Sequence, residues 1–162
     1  MVNRSRAADP RIPLLIDQLD RAYRGPSWHG TSLRGTLRGL TTELALWRPG
    51  PDRNSIWQLV LHAAYWKYTV RRKLSGAARG SFPRAGADFP LLPSPPDDAG
   101  WKADLQLLDD EHAALRTAVE AITPGRLLDR RGAWRLVDFV SGAAAHDLYH
   151  AGQINLLKKL LK

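Results

Sequence analysis

Residues 55–74 of this chain read SIWQLVLHAAYWKYTVRRKL. Apolar side chains recur here every three or four residues, at Ile56, Leu59, Val60, Ala63, Trp66, Val70 and Leu74. This is the spacing of one face of an α-helix. Ser55 is a suitable N-cap before the stretch, and Gly76 is a suitable stop after it. The pattern therefore predicts an amphipathic helix that packs through one face against other elements.

Two further long segments show the same helical period. Trp101–Ile122 carries an apolar stripe, with Asp97 placed as its N-cap and Pro124 beyond its end. The last segment runs from about Trp134 to the C-terminus. No run alternates β-branched and polar residues, so the sequence predicts no strand. The expected fold class is therefore all-α.

The first part of the chain is divided into shorter segments. Residues 12–23 are typical of a short helix, and a second helix is predicted over residues 27–40. A short capped turn is expected at residues 41–44. Residues 76–96 contain five prolines, so this connection is expected to be irregular.

These segments together suggest one domain. Four main helices, with one long and one short later connection, predict a four-helix bundle. A chain of 162 residues can bury a sizeable core, and the absence of cysteine excludes disulfide scaffolds and thiolate zinc sites. We therefore expect a single domain over residues 1–162, in which residues 1–24 form an N-terminal extension with a short helix.

The formal net charge of +8 raises the question of nucleic-acid binding. The basic excess lies in the first 96 residues but forms no block of five or six like charges. Its densest run, at 71–73, falls at the end of a predicted helix, where cations complement the helix dipole. We therefore expect no nucleic-acid partner.

The sequence also bears on membranes and location. No apolar run approaches the roughly 20 residues that span a bilayer, so no membrane association is expected. The charged residues 1–10 are not followed by the apolar segment of a secretory signal. The expectation is a cytoplasmic protein.

Two histidines, His146 and His150, are four residues apart on the last predicted helix. They lie about 40° apart around the helix axis and about one turn apart along it, so both imidazoles can reach one ion. His62 is the best candidate for a third ligand, because it lies on a polar stripe of the second long helix. Three imidazoles suit a divalent ion such as zinc or nickel. Spacing alone leaves open that these histidines are core residues with a structural role.

Three other residues are weaker candidates for the same pocket. His29 could act as an acid, a base or a fourth ligand, or could be an exposed polar residue beside Trp28. Gln153 lies one turn beyond His150 and could orient a ligand, or could bond to backbone. Trp66 is more typical of core packing than of a substrate platform. No side chain can be assigned a catalytic role.

Several stretches of the sequence share a pattern with a known family. They are LTTE at 40–43 with WRP at 47–49, SIWQLVLH at 55–62, DDEH at 109–112 and HDLYHAGQI at 146–154. Together they resemble the DinB/YfiT-like superfamily of metal-dependent four-helix bundles, and the last stretch is the most specific. The resemblance covers nearly all of the chain from about Gly25 onward. It implies that His62, His146 and His150 hold a divalent metal ion.

The resemblance also suggests an activity. Characterised members of the superfamily include transferases and isomerases that use low-molecular-weight thiols. It therefore implies a metal-dependent transferase or hydrolase that acts on a small molecule, with such a thiol as candidate cosubstrate. The alternative is a non-catalytic metal- or ligand-binding stress-response protein. A homodimer is a further expectation, because bundles often bury spare apolar helix faces by pairing.

Overall fold

A computed structural model of the chain describes residues 9–78 and 80–161. Residues 1–8, which include most of the segment considered as a secretory signal, lie outside the described part, as do Arg79 and Lys162. Most described residues are helical, which confirms the all-α class.

The described elements are six α-helices, one 3₁₀-helix and two very short strands. In chain order they are α1 (Arg11–Tyr23), α2 (Leu33–Thr36), α3 (Thr42–Leu46), α4 (Ile56–Ser75), α5 (Asp98–Glu120), the 3₁₀-helix (Pro124–Leu128), β1 (Arg130–Arg131), β2 (Trp134–Arg135) and α6 (Leu136–Leu160). The predicted helices at 12–23, 55–74 and 101–122 and the last long helix are confirmed, and their ends shift by a few residues.

The ends of α4 show why its sequence forms a helix. The Ser55 hydroxyl accepts a hydrogen bond from the Gln58 backbone nitrogen at 3.2 Å, and the Gln58 side-chain oxygen accepts one from the Ser55 nitrogen at 3.0 Å. This capping box satisfies two backbone donors that a helix N-terminus leaves without partners. At the other end, Gly76 adopts a left-handed conformation with φ 71°, which a side chain would strain.

The three long helices α4, α5 and α6 pack together with the shorter α1. α4 and α1 each contact both α5 and α6. Leu19 of α1, Val60 of α4, Leu108 of α5 and Ile154 of α6 are completely buried. The short first helix is therefore part of the core, and α4 and α6 lie side by side, which places their histidines near one another.

The predicted helix over residues 27–40 is wrong, because only Leu33–Thr36 of α2 is helical there. Gly30 and Gly39 have φ values of 131° and 72°, outside the α-helical region. These glycines interrupt the backbone on both sides of α2. The short capped turn is confirmed as α3, where the Thr41 hydroxyl accepts a hydrogen bond from the Leu44 nitrogen.

The expectation that the chain has no strand is also wrong in detail. Arg130 pairs with Arg135 and Arg131 with Trp134 in an antiparallel ladder, which turns at Gly132 with φ 65°. Two residues per strand are too few to show an alternating pattern, so the sequence carried no strand signal. Among the described residues, no helix is long and apolar enough to cross a membrane.

Candidate metal centre

Three imidazoles converge between α4 and α6. The Nε2 atom of His146 lies 3.1 Å from Nε2 of His62 and 3.0 Å from Nε2 of His150. His62 and His150 are buried and His146 is half-buried. Each residue offers a ligand atom within 4.8 Å of the other two. The structure thus brings together the three histidines that the sequence selected.

The spacing of these nitrogens fits one divalent ion. Two nitrogens that each lie about 2.0–2.1 Å from an ion are about 3 Å apart when the angle at the ion is close to 95°. The two separations at His146 have this length. Neutral imidazole nitrogen is also the kind of donor that zinc, nickel and related metals bind. The donor set therefore fits a metal ion in both chemistry and distance.

The remaining ring nitrogens of two histidines are held by acceptors outside the cluster. Nδ1 of His62 lies 2.7 Å from the backbone carbonyl oxygen of Asp88, and Nδ1 of His150 lies 2.7 Å from the side-chain oxygen of Gln153. A carbonyl oxygen only accepts hydrogen bonds, so each Nδ1 carries the proton. Both Nε2 lone pairs are then free to bind an ion inside the cluster. The Gln153 side chain thus contacts His150, as a residue that orients this ring would.

The protonation state of the cluster also favours metal binding. Burial lowers the pKa of His62 and of His150. Burial, together with the neighbouring histidine rings, lowers the pKa of His146 to about 3. The three imidazoles are therefore neutral at physiological pH, which is the form that ligates a metal.

The irregular connection between α4 and α5 covers one side of the cluster. The ring of Phe89 stacks on that of His62 with centroids 4.1 Å apart and planes 17° apart. The Trp66 indole donates a hydrogen bond to the Asp88 carboxylate at 2.8 Å. Sequence reasoning missed Asp88 and Phe89, because an irregular segment has no period that places its side chains. One signal was present, since Asp88 is the only acidic residue between 76 and 96.

A cavity of about 420 Å³ opens beside His146. Its walls are mainly apolar, and Trp66, Trp134 and Phe139 supply aromatic surface. Trp66 is 38% exposed, so the interpretation that favoured a core position for it is wrong. The size and lining of this cavity suit a small molecule with an apolar part.

A buried ion pair joins α4 to α6 next to the cluster. The ammonium group of Lys67 bonds to the Asp147 carboxylate, and the two side chains are 2% and 1% exposed. The same ammonium group lies 4.8 Å from the centre of the Tyr23 ring. Burial raises the pKa of the Asp147 carboxyl, while the Lys67 charge acts in the opposite direction. Asp147 therefore fastens the two helices that carry the histidines, and its carboxylate bonds to Lys67 rather than to the cluster.

The other two histidines lie elsewhere. His29 is exposed and lines a separate groove with the 96% exposed Trp28, so the structure does not bring it to the cluster. His112 is fully buried, stacks on Tyr23, and has its Nε2 atom 2.9 Å from the Asp20 carboxylate. Burial lowers the pKa of His112 to about 4, so its ring is neutral. His112 is thus a core residue that joins α5 to α1.

Comparison with known protein families identifies a match over most of the chain. A family model described as the DinB superfamily matches residues 17–154, a range that includes the three clustered histidines and Gln153. No curated protein and no solved structure gives a significant match.

Proposed function

Since the chain belongs to the DinB superfamily, we propose that it is a metal-dependent enzyme, a transferase or hydrolase that acts on a small molecule. A low-molecular-weight thiol is the proposed cosubstrate. The observation that carries the proposal is the convergence of three neutral imidazole nitrogens beside an apolar cavity. The family supports this reading but does not identify a reaction.

The proposal includes the architecture around the site. We interpret α1, α4, α5 and α6 as a four-helix bundle of the DinB/YfiT-like type, in one domain that covers residues 1–162. The contacts of α1 and α4 with both α5 and α6 support this interpretation. A homodimer and a cytoplasmic location stay predictions from the sequence.

His62, His146 and His150 would hold the ion, with zinc or nickel as the proposed metal. An ion held by three neutral ligands keeps its full positive charge, so the chemistry it supplies is that of a Lewis acid that lowers the pKa of a thiol or water. The Asp88 carbonyl and the Gln153 side chain keep two of the imidazoles in the required tautomer. Phe89, stacked on His62, keeps water from that face of the ring.

The apolar cavity is the proposed place for the substrate. His146 forms part of its wall, so a molecule bound there has one end at the cluster. Trp66, Trp134 and Phe139 would hold its apolar part by contact and exclusion of water. The hydrogen bond from Trp66 to Asp88 fixes this aromatic wall relative to the segment that carries Phe89.

Thiol-dependent substitution tests the proposal. The zinc- or nickel-loaded protein is mixed with a small thiol, such as glutathione or cysteine, and 1-chloro-2,4-dinitrobenzene. The thiolate sulfur bonds to the ring carbon, chloride leaves with the bonding electron pair, and the thiol proton passes to the buffer. We expect absorbance from the thioether to grow faster than in the uncatalysed reaction. A parallel assay with carboxylic and phosphate esters covers the hydrolase alternative.

Two histidine variants give the controls. His150→Ala should abolish turnover, whereas His29→Ala, at an exposed histidine outside the cluster, should keep it. Equal activity of both variants would contradict the proposed site. A protein that binds metal stoichiometrically but turns over none of these substrates would favour the non-catalytic metal- or ligand-binding alternative.

A further inference from the structure

A second cavity, of about 500 Å³, lies between the C-terminal end of α4 and the turn that joins β1 to β2. Arg72 and Lys73 of α4 line it from one element, and Arg131 of β1 lines it from another. It shares no lining residue with the apolar cavity beside His146. It is therefore a separate feature of the surface.

Positive charge dominates this cavity. No acidic side chain is among the described residues that line it. Arg72, Lys73 and Arg131 form no ion pair with any residue that the structure describes. The guanidinium groups of the two arginines donate only to backbone carbonyls there, from Arg72 to Ala78 at 3.0 Å and from Arg131 to Arg130 at 3.3 Å. Most of their N–H donors therefore have no partner among the described residues and could bind a ligand.

The helix dipole explains only part of this arrangement. Cations in the last turn of α4 offset the partial negative charge of the helix end, which accounts for Arg72 and Lys73. Arg131 comes from the strand pair, more than 50 residues later. Its Nη2 atom lies only 4.0 Å from the point that a Cβ atom on Gly76 would occupy. Within the described residues it nevertheless donates to no carbonyl of α4, so its position is not explained as a helix cap.

The walls of the cavity leave room for a ligand. Gly76 and Gly132 both line it and both have positive φ, so the backbone turns there without side chains. The hydroxyl of Thr69, another lining residue, is buried and has no hydrogen-bond partner in the described part of the chain. A bound anion would reduce the repulsion among the three cations.

We propose that this cavity binds a compact dianionic group, such as the phosphate monoester or paired carboxylates of a small molecule. Three cations from two elements can surround one such group with charge-assisted hydrogen bonds. A nucleic-acid duplex instead needs an extended basic surface that tracks its backbone. The proposal concerns a site apart from the histidine cluster and holds whether or not the proposed reaction is confirmed.

Calorimetric titration with inorganic phosphate, at constant ionic strength, tests this site. We expect saturable binding to one site per chain of the wild-type protein. The double variant K73Q/R131Q should bind at least about tenfold more weakly. The control R38Q/K102Q removes the same charge from exposed positions outside the cavity and should bind like the wild type. His150→Ala should also bind like the wild type, because its cluster lies outside the cavity.

Nitrogen-15 NMR of the wild-type protein gives a test that needs no variant. Phosphate should shift the backbone amide signals of Gly76 and Gly132 more than that of Ala151, which is next to the histidine cluster. Four results would overturn the proposal. They are the absence of saturable binding, equal weakening in the two double variants, loss of binding in His150→Ala alone, and displacement of phosphate by a 20-base-pair DNA duplex.

Discussion

The buried ion pair between Lys67 and Asp147 makes a quantitative prediction about folding. The two side chains are 2% and 1% exposed, and Lys67 forms no other ion pair within the described residues. Asp147→Asn therefore leaves an ammonium group in the core without a counter-charge. Removal of one partner from such a pair costs about 3–5 kcal/mol. Since domains of this size are stable by about 5–15 kcal/mol, the variant should lose a large share of its free energy of unfolding.

Urea denaturation followed by circular dichroism measures this loss. Asp129→Asn is the matched control, because it breaks the pair with Arg126, in which the side chains are 45% and 51% exposed. That change should cost less than about 1 kcal/mol. The double variant K67M/D147L removes both buried charges and should recover most of the stability. If Asp147→Asn cost no more than Asp129→Asn, the pair could not be what fastens α4 to α6.

Three further predictions concern single side chains. Burial lowers the pKa of His112 from 6.5 to about 4, so the unfolded state binds a proton more readily than the folded state. The free energy of unfolding should therefore fall by about 3 kcal/mol as the pH decreases from about 6.5 towards 4. His112→Phe should flatten that part of the stability–pH curve from urea unfolding, and an unchanged slope would refute the assignment. Gln153→Leu should weaken zinc binding about 10–100-fold in a chelator competition, whereas the exposed Gln106→Leu should not; equal affinities would show that Gln153 does not orient His150. Trp134→Ala should raise KM for an apolar substrate and leave the metal content unchanged, while Trp28→Ala should change neither. An unaltered KM in both variants would show that the cavity does not bind the substrate.

The helices that carry the site could be predicted because local sequence determines them. The apolar stripe of α4 predicts a helix, and the Ser55 cap predicts where it begins. Both are local features of the sequence and do not depend on contacts with distant residues. Asp97 marks the start of α5 in the same way, since its carboxylate accepts a hydrogen bond from the Gly100 backbone nitrogen at 2.7 Å. The helix expected over residues 27–40 does not form as one element, because the glycines on both sides of α2 adopt positive φ.

The histidine cluster could be selected from spacing, but the residues around it could not. His146 and His150 are four residues apart and therefore share a helix face, and His62 was the best third candidate because it lies on a polar stripe of α4. Asp88 and Phe89 reach His62 from an irregular segment, where contacts depend on the tertiary path of the chain. The burial of Lys67 could not be predicted for another reason. A lysine in a helix is normally an exposed residue, and its burial depends on Asp147, 80 residues away.

The metal content of the purified protein is the sharpest test of whether His62, His146 and His150 hold an ion. The untagged protein is purified without chelator or nickel resin, and mass spectrometry quantifies the metal bound per chain. We expect close to one zinc or nickel ion per chain in the wild type and in His29→Ala, and almost none in His62→Ala or His150→Ala. A wild-type protein that holds no metal, even after incubation with zinc, nickel or manganese, would contradict this expectation, as would equal metal content in all four proteins.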